Sequence, residues 1–438
     1  MRAWSPEQVA VAAGARLADD APAPGAGHGD PPGPLRVTID SRDVRPGDLF
    51  VGLPGARDDG GRFAADALAA GAWGVLVGPG HAAGTPGVVI AAADPLAALQ
   101  ALARSWRRAL AVPVIGITGS TGKTSTKDLL RAMLAQDRRV VATEQNLNTE
   151  IGLPLTILGA PPDTEVLVLE MAMRGAGQIA ELAAIAEPDV GVIVNIGPVH
   201  LELLGSLEAI AAAKAELLAG LQPGATAVLP AGERLLDAHL REDLHVVTFG
   251  AGGDVDELGD VQLPFASAHM RSNALAALAA ARAVGGEPHG LLEVTLSAMR
   301  GQRIELPGPV VVIDDCYNAN PMSMRAALDD LAASATGRRV AVLGDMLELG
   351  PDEGRYHAEI GAHAAQQGVD VLVTVGPLAA QMAEGFGGGE LHGAADAAEA
   401  AALARELLRP GDTVLVKASR GVGLEVVAQG LSAAAASS

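Results

Sequence analysis

The sequence predicts an α/β protein with two mostly parallel sheets covered by helices, preceded by a smaller α/β unit. Three observations carry this expectation. From Val112 onward, apolar runs ("VPVIGIT", "VLVLE", "VGVIVNIG") alternate with helical stretches, the pattern of strands buried on both faces. A second such series begins near Val310 with "VVVIDD", "RVAVLGD", "VDVLVTVG" and "DTVLVKAS". Nearly every run ends, on its carboxyl side, in a polar or glycine-rich cluster, where ligands bind in open α/β sheets.

Taken in order, residues 21–35 are rich in Pro and Gly and read as a loop. The stretch "RVTIDSRDVRPGDLFVGLPGARDDGGRF" gives short strands broken by turns, followed by a small-residue helix and "WGVLVG", so 1–107 forms the first unit. The second unit spans 108–305 and the third 306–438, divided by the helical "HMRSNALAALAAARAV" and the loop "MRGQRIELPG". The alanine-rich tail "LSAAAASS" reads as a fraying helix end.

Composition narrows the function. The chain has 438 residues, 49% hydrophobic but only 2% aromatic, so its cores must be built from Ala, Val, Leu and Ile. A net charge of −21, spread along the chain, argues against nucleic-acid binding, which needs a basic patch. The single cysteine, Cys316, cannot form an internal disulfide and suits a reducing compartment. The start of the chain lacks the apolar core of a signal peptide, and no uncharged apolar stretch reaches the roughly 18 residues of a membrane span. A cytoplasmic protein without membrane insertion is expected.

The stretch "GITGSTGKTSTKDLL" (116–130) sits between an apolar run and an amphipathic one, the setting of a phosphate-binding loop. Gly119 and Gly122 let the backbone N–H groups of Ser120 and Thr121 surround phosphate oxygens, and the following helix offers its N-terminus. Lys123 would contact the β- and γ-phosphates of ATP, and Thr124 would hold Mg2+. Glu170 closes the apolar run "VLVL", as a strand-end acid in water or as a ligand of that magnesium. Lys214 lies within the apolar stripe Leu207, Ile210, Ala211, Leu217, Leu218 and Leu221. There it either snorkels to water or is kept neutral by burial, and a neutral amine can take up carbon dioxide as a carbamate.

Seven stretches, "GSTGKTSTKDLL", "NLNTEIGLPLT", "VNIGPVHLELLGS", "AKAELL", "DDCYNANPMSM", "LGDMLELG" and "VKASRG", occur in this order, and together they resemble the Mur ligase family. The N-terminal "DSRDVRPGDLFVGLPGARDDGGRF" is similar to the UDP-binding domain of the same family. The resemblance implies a UDP-sugar-binding domain, a central P-loop ATPase domain and a C-terminal Rossmann-like ligase domain. The implied reaction joins UDP-N-acetylmuramoyl-tripeptide to D-alanyl-D-alanine with ATP and Mg2+, in a monomer. It further implies that Glu170 and His200 sit around the metals and that Lys214 is the carbamylated lysine. Arg303 would reach ATP phosphates, while Asp315, Asn318 and Asn320 would hold the nucleoside. Ser41 and Arg42 match the UDP-contacting motif. Asn146 and Asn148, with Lys417, Ser419 and Arg420, match peptide-side motifs. Asp345 is either a guide for the incoming ammonium or a helix cap. Lys123, His200 and Lys214 would carry the catalysis.

The chain departs from the family pattern in places. "DGHxF" reads "DGGRF", with Gly61 for histidine, and "NxNN" ends in Thr149. Cys316 replaces a serine and is expected to pack rather than react. The segment 222–268 is short, so an edge hairpin of the central domain is expected to be missing. Two other ligases come close: one adding a diamino acid, whose "DNPR" motif is absent, and folylpolyglutamate synthetase, which lacks the N-terminal unit. A nucleotide-binding scaffold without catalysis is a third reading.

Overall fold

The computed structural model of the chain describes residues 1, 3–18, 33–83, 85, 87–265 and 267–436. The expected loop at 21–35 falls largely outside them. Three sheets follow one another. The first has the order Arg16–Leu17, Val89–Ala91, Gly74–Val77, Asp48–Val51, Arg36–Thr38, parallel except for the first pair. The second is parallel throughout, in the order His245–Phe249, Thr226–Pro230, Val190–Ile193, Val114–Thr118, Val166–Glu170, Val140–Ala142. The third runs Gln302–Leu306, Val310–Asp314, Thr413–Lys417, Arg339–Gly344, Val371–Val375, Glu390–Ala394, with only the first pair antiparallel.

The two large sheets arise from apolar β-branched runs whose alternate side chains serve opposite faces. In the second sheet Ile115, Ile117, Val166 and Val168 pack with the alanine-rich helix Ala268–Ala283. Val114, Leu167, Leu169 and Ile193 pack on the other face with Leu182, Leu217 and Leu218. Because aromatics are scarce, small side chains let helices and strands approach closely. A Cβ on Gly191 would stand 3.2 Å from Leu217.

Helix Pro95–Leu110 joins the first unit to the second. Asp94 caps it by accepting from the N–H groups of Leu96 and Ala97, and Ala111 ends it in the left-handed conformation at φ 51°. Arg107 fastens it to the central unit through the carbonyls of Ala186 and Glu187. This helix runs through the expected 107/108 division. Strand Gln302–Leu306 straddles the expected 305/306 division and pairs antiparallel with Val310–Asp314 in the third sheet. Segment 222–268 supplies Thr226–Pro230, the edge strand His245–Phe249 and the short Val261–Gln262. Among the described residues no helix is long and apolar enough to cross a membrane.

Candidate functional site

The carboxyl ends of the second and third sheets face one cavity of about 1330 Å³. Its central-unit wall is the loop after strand Val114–Thr118. Gly122 has φ +76°, and a Cβ there would come 2.5 Å from Asn273 Oδ1 on helix Ala268–Ala283. Gly119 lies so close to strand Val190–Ile193 that its Cβ would meet Val194 at 2.9 Å. Gly122→Ala is therefore expected to cost about 1–3 kcal/mol and to raise the KM for ATP, as thermal melting and initial rates would report.

Asn195 shapes the same loop, a role its sequence position did not reveal. Its Oδ1 accepts from Thr121 N–H at 2.9 Å and its Nδ2 donates to Thr121 Oγ1 at 2.9 Å. The Ser120 hydroxyl donates to the Gly197 carbonyl at 3.0 Å, which ties the loop to the next strand end. Lys123 Nζ donates to the Gly119 carbonyl at 2.7 Å. Burial pulls its pKa below the ordinary value; the Glu170 carboxylate opposes this and the Arg300 guanidinium adds to it.

Glu170 is buried at its strand end, and its two oxygens have separate partners. Thr124 Oγ1 donates to one at 2.9 Å, and Asn148 Nδ2 donates to the other at 2.8 Å. Helix Leu207–Ala219, capped by Ser206 Oγ accepting from Ala209 N–H, carries Lys214. Lys214 is 2% exposed, one of the largest side chains buried so completely. Burial first, then repulsion from Lys123, drives its pKa well below the usual lysine range. A buried cation is costly, so this position favours the neutral amine over the ammonium.

His200 stands in the left-handed region, φ 54°, and its Nδ1 pairs with Glu348 of the third unit. Burial lowers the His200 pKa, opposed by Glu348 and assisted by Lys123 and Lys214. The other oxygen of Glu348 pairs with Arg174. One carboxylate thus bonds two central-unit side chains across the cleft, a partner too distant in sequence for any local pattern to show.

The facing wall comes from the third unit. Arg303, Asp315, Asn318, Asn320 and Lys417 all line the cavity. Lys417 is buried and donates to Asp315 Oδ2 at 2.6 Å and to the Asn318 carbonyl at 3.0 Å. Arg303 pairs with Asp330 at 3.1 Å. Arg300, which no sequence motif marks, lies 3.8 Å above the Tyr317 ring. Asn320 caps helix Pro321–Ser334 by accepting from Ser323 N–H at 3.0 Å. Pro264, Phe265, Leu296, Ile313 and Ala327 give the cavity an apolar portion.

Three domain descriptions match the chain: the Mur ligase family catalytic domain at 36–106, the Mur ligase middle domain at 117–259, and the Mur ligase glutamate ligase domain at 299–420. The chain belongs to the Mur ligase family. A Synechocystis relative named UDP-N-acetylmuramoyl-tripeptide–D-alanyl-D-alanine ligase is 40% identical over 410 residues, covering 89% of this chain and 90% of its own length. A Mycobacterium tuberculosis protein of the same name is 39% identical over 497 aligned residues, covering 97% and 96%. Among solved structures, MurF from Acinetobacter baumannii superposes with a TM-score of 0.85 at 29% identity, over 98% of this chain and 99% of that one. MurF ligase from Thermotoga maritima, in complex with ADP, gives 0.81 at 30% identity, over 92% and 98%.

Within this Mur ligase, four residues expected on the peptide side do not line the cavity. Asp345 is turned inward, its Oδ1 accepting from Ala379 N–H at 2.7 Å, so it caps a turn rather than facing an incoming ammonium. Ser419 Oγ accepts from Leu347 N–H at 3.0 Å and donates to the Ala319 carbonyl at 3.3 Å, which spends the hydroxyl on joining loops. Asn146 is exposed, and so is Arg420, whose guanidinium lies 5.2 Å over the Tyr317 ring. Ser41 and Arg42 stand apart, at the carboxyl edge of the first sheet. Burial pushes the Cys316 thiol up, away from reactivity.

Proposed function

We propose that this Mur ligase joins D-alanyl-D-alanine to UDP-N-acetylmuramoyl-tripeptide at the expense of ATP. The observation that carries the reading is the single cavity in which Lys123, Thr124, Glu170 and His200 face Arg303, Asp315, Asn318 and Lys417. The relatives' names and the ADP-bound neighbour support it.

A carboxylate and an amine do not condense in water, so the carboxylate must first gain a leaving group. A terminal carboxylate oxygen of the tripeptide attacks the γ-phosphorus of ATP, the bond to the β-phosphate oxygen breaks, and ADP leaves. The loop N–H groups, Lys123 and Arg303 stabilise charge on the transferred group. The dipeptide nitrogen then attacks the acyl carbon, inorganic phosphate departs and the nitrogen loses its proton. With an α-amine pKa of about 7.7–8.0, roughly a tenth is free at neutral pH. Orientation therefore contributes more than base strength.

Magnesium fits the donor set: a hydroxyl and a carboxylate, both hard oxygen donors, stand 2.9 Å apart at Thr124 and Glu170. Thr124, Glu170, His200 and Lys214 as its carbamate would hold Mg2+, which would supply positive charge against the phosphoryl oxygens. Ser41 and Arg42 would take the UDP end, and Asn148 the acceptor side. We assign the UDP-binding unit to 1–107, the ATP-binding unit to 108–305 and the ligase unit to 306–438, each division carrying a few residues of latitude. A cytoplasmic monomer is the setting we infer.

The test is phosphate release from ATP with UDP-N-acetylmuramoyl-tripeptide present. Release that requires D-alanyl-D-alanine is the expected result. Release driven equally by a free diamino acid or by glutamate would overturn the assignment.

A further inference from the structure

The loss of a motif histidine at Gly61 and the placement of His81 are one feature. Strands Arg36–Thr38, Asp48–Val51 and Gly74–Val77 are parallel neighbours, so their carboxyl ends release three segments at one edge of the first sheet. The first carries Ser41 and Arg42, the second Asp59 to Phe63, and the third Gly78 to Ala82. A Cβ on Gly52 would touch Gly61 Cα at 2.7 Å, which puts the Gly61 turn directly over the end of the middle strand.

Gly61 is not a glycine for backbone reasons, because its φ lies outside the left-handed region. A Cβ added there would stand 2.4 Å from His81 Cδ2 and 2.8 Å from His81 Cγ. The imidazole of His81 therefore fills the volume in which a side chain at 61 would begin. Asp59 fixes it: one carboxylate oxygen accepts from Gly61 N–H at 2.9 Å, and the other lies 2.9 Å from His81 Nε2. The ring remains about one-third exposed, 32%.

We propose that His81 is a binding residue for the nucleoside diphosphate end of the acceptor, delivered from the third strand end in place of a side chain at 61. This rests on the reaction proposed above. With Nε2 committed to Asp59, Nδ1 is the nitrogen that meets the ligand. It accepts from an imide N–H when neutral and donates to a phosphoryl oxygen when protonated. The Asp59 partner keeps the ring oriented, so little rotamer freedom is lost on binding.

The test is a four-way comparison of wild type, His81→Ala, Gly61→His, and Gly61→His combined with His81→Gly. Initial rates would be measured against each substrate, alongside calorimetric titration with UDP-N-acetylmuramoyl-tripeptide and thermal melting. His81→Ala is expected to raise the KM and Kd for the UDP substrate about tenfold, the size of one lost charge-assisted hydrogen bond. Its KM for ATP and for D-alanyl-D-alanine should not move. Gly61→His alone should weaken the UDP substrate as well, because two rings compete for one space. The double variant should recover most of the lost affinity, since position 61 then supplies an imidazole to the space His81 had filled. An unchanged Kd in His81→Ala overturns the proposal, as does a double variant no better than Gly61→His. A melting loss without a Kd change assigns the ring to packing and overturns it equally. Absence of dipeptide-dependent phosphate release from the wild type would instead strike the proposed reaction, while the calorimetry still reads His81.

Discussion

Lys123→Ala is expected to lower phosphate release by about 10²–10³-fold or more, the scale of losing a preorganised cation from a developing anionic transition state. UDP-sugar binding should stay near the wild-type value. Both expectations come from placement. The Lys123 ammonium is half-buried against the Gly119 carbonyl, where a lowered local dielectric makes its charge count for more than in water. Ser41, Arg42 and His81 follow strands of a different sheet, joined to the central one through helix Pro95–Leu110. Single-turnover phosphate release and calorimetry with the UDP substrate separate the two effects. Turnover that survives the substitution would show that another group handles the transferred phosphate.

Lys214→Ala should be similarly inactive, but for a different reason, and formate or acetate should restore part of the rate. A buried amine whose charged form is disfavoured, beside Lys123 and His200, is primed to take up carbon dioxide, and a small carboxylate can enter the space left by its deletion. Full activity of Lys214→Ala without additive would rule out the carbamate. Stability offers a second measurement in buffer freed of carbon dioxide. The folded pKa of Lys214 lies well below 10.5, so below that pH the unfolded chain binds a proton that the folded chain does not. The stability contribution of Lys214 is therefore lost as pH falls from about 10 toward neutrality. Lys214→Met should melt higher than wild type at neutral pH, with a gap that narrows as pH rises. A gap that does not change with pH would mean that the lysine is charged in the fold.

Much of this arrangement was legible along the chain. The polar clusters at strand ends predicted where Lys123, Glu170, His200, Asp315 and Lys417 would gather, because a parallel sheet aims every carboxyl end the same way. Lys214 betrayed itself by interrupting an apolar stripe at helical spacing. What a given strand-end side chain does there was less legible. Asp345 and Ser419 also stand just past strand ends, but backbone N–H groups nearby claim their side chains, and sequence does not say which donor wins. Partners far apart in the chain were equally silent. Glu348 on His200 and His81 over Gly61 exist only once two elements have been brought together.

The three tryptophans, Trp4, Trp73 and Trp106, all fall in the first quarter of the chain, with Trp4 and Trp106 meeting edge to face at 5.4 Å. Trp106 sits on the connecting helix and donates its ring N–H to the Ala160 carbonyl of the central unit. Tryptophan emission, excited apart from Tyr317 and Tyr356, is therefore a one-ended optical probe that reports on the first unit and its joint. A ligand that perturbs that unit or its joint can thus be followed by light alone, with no label attached.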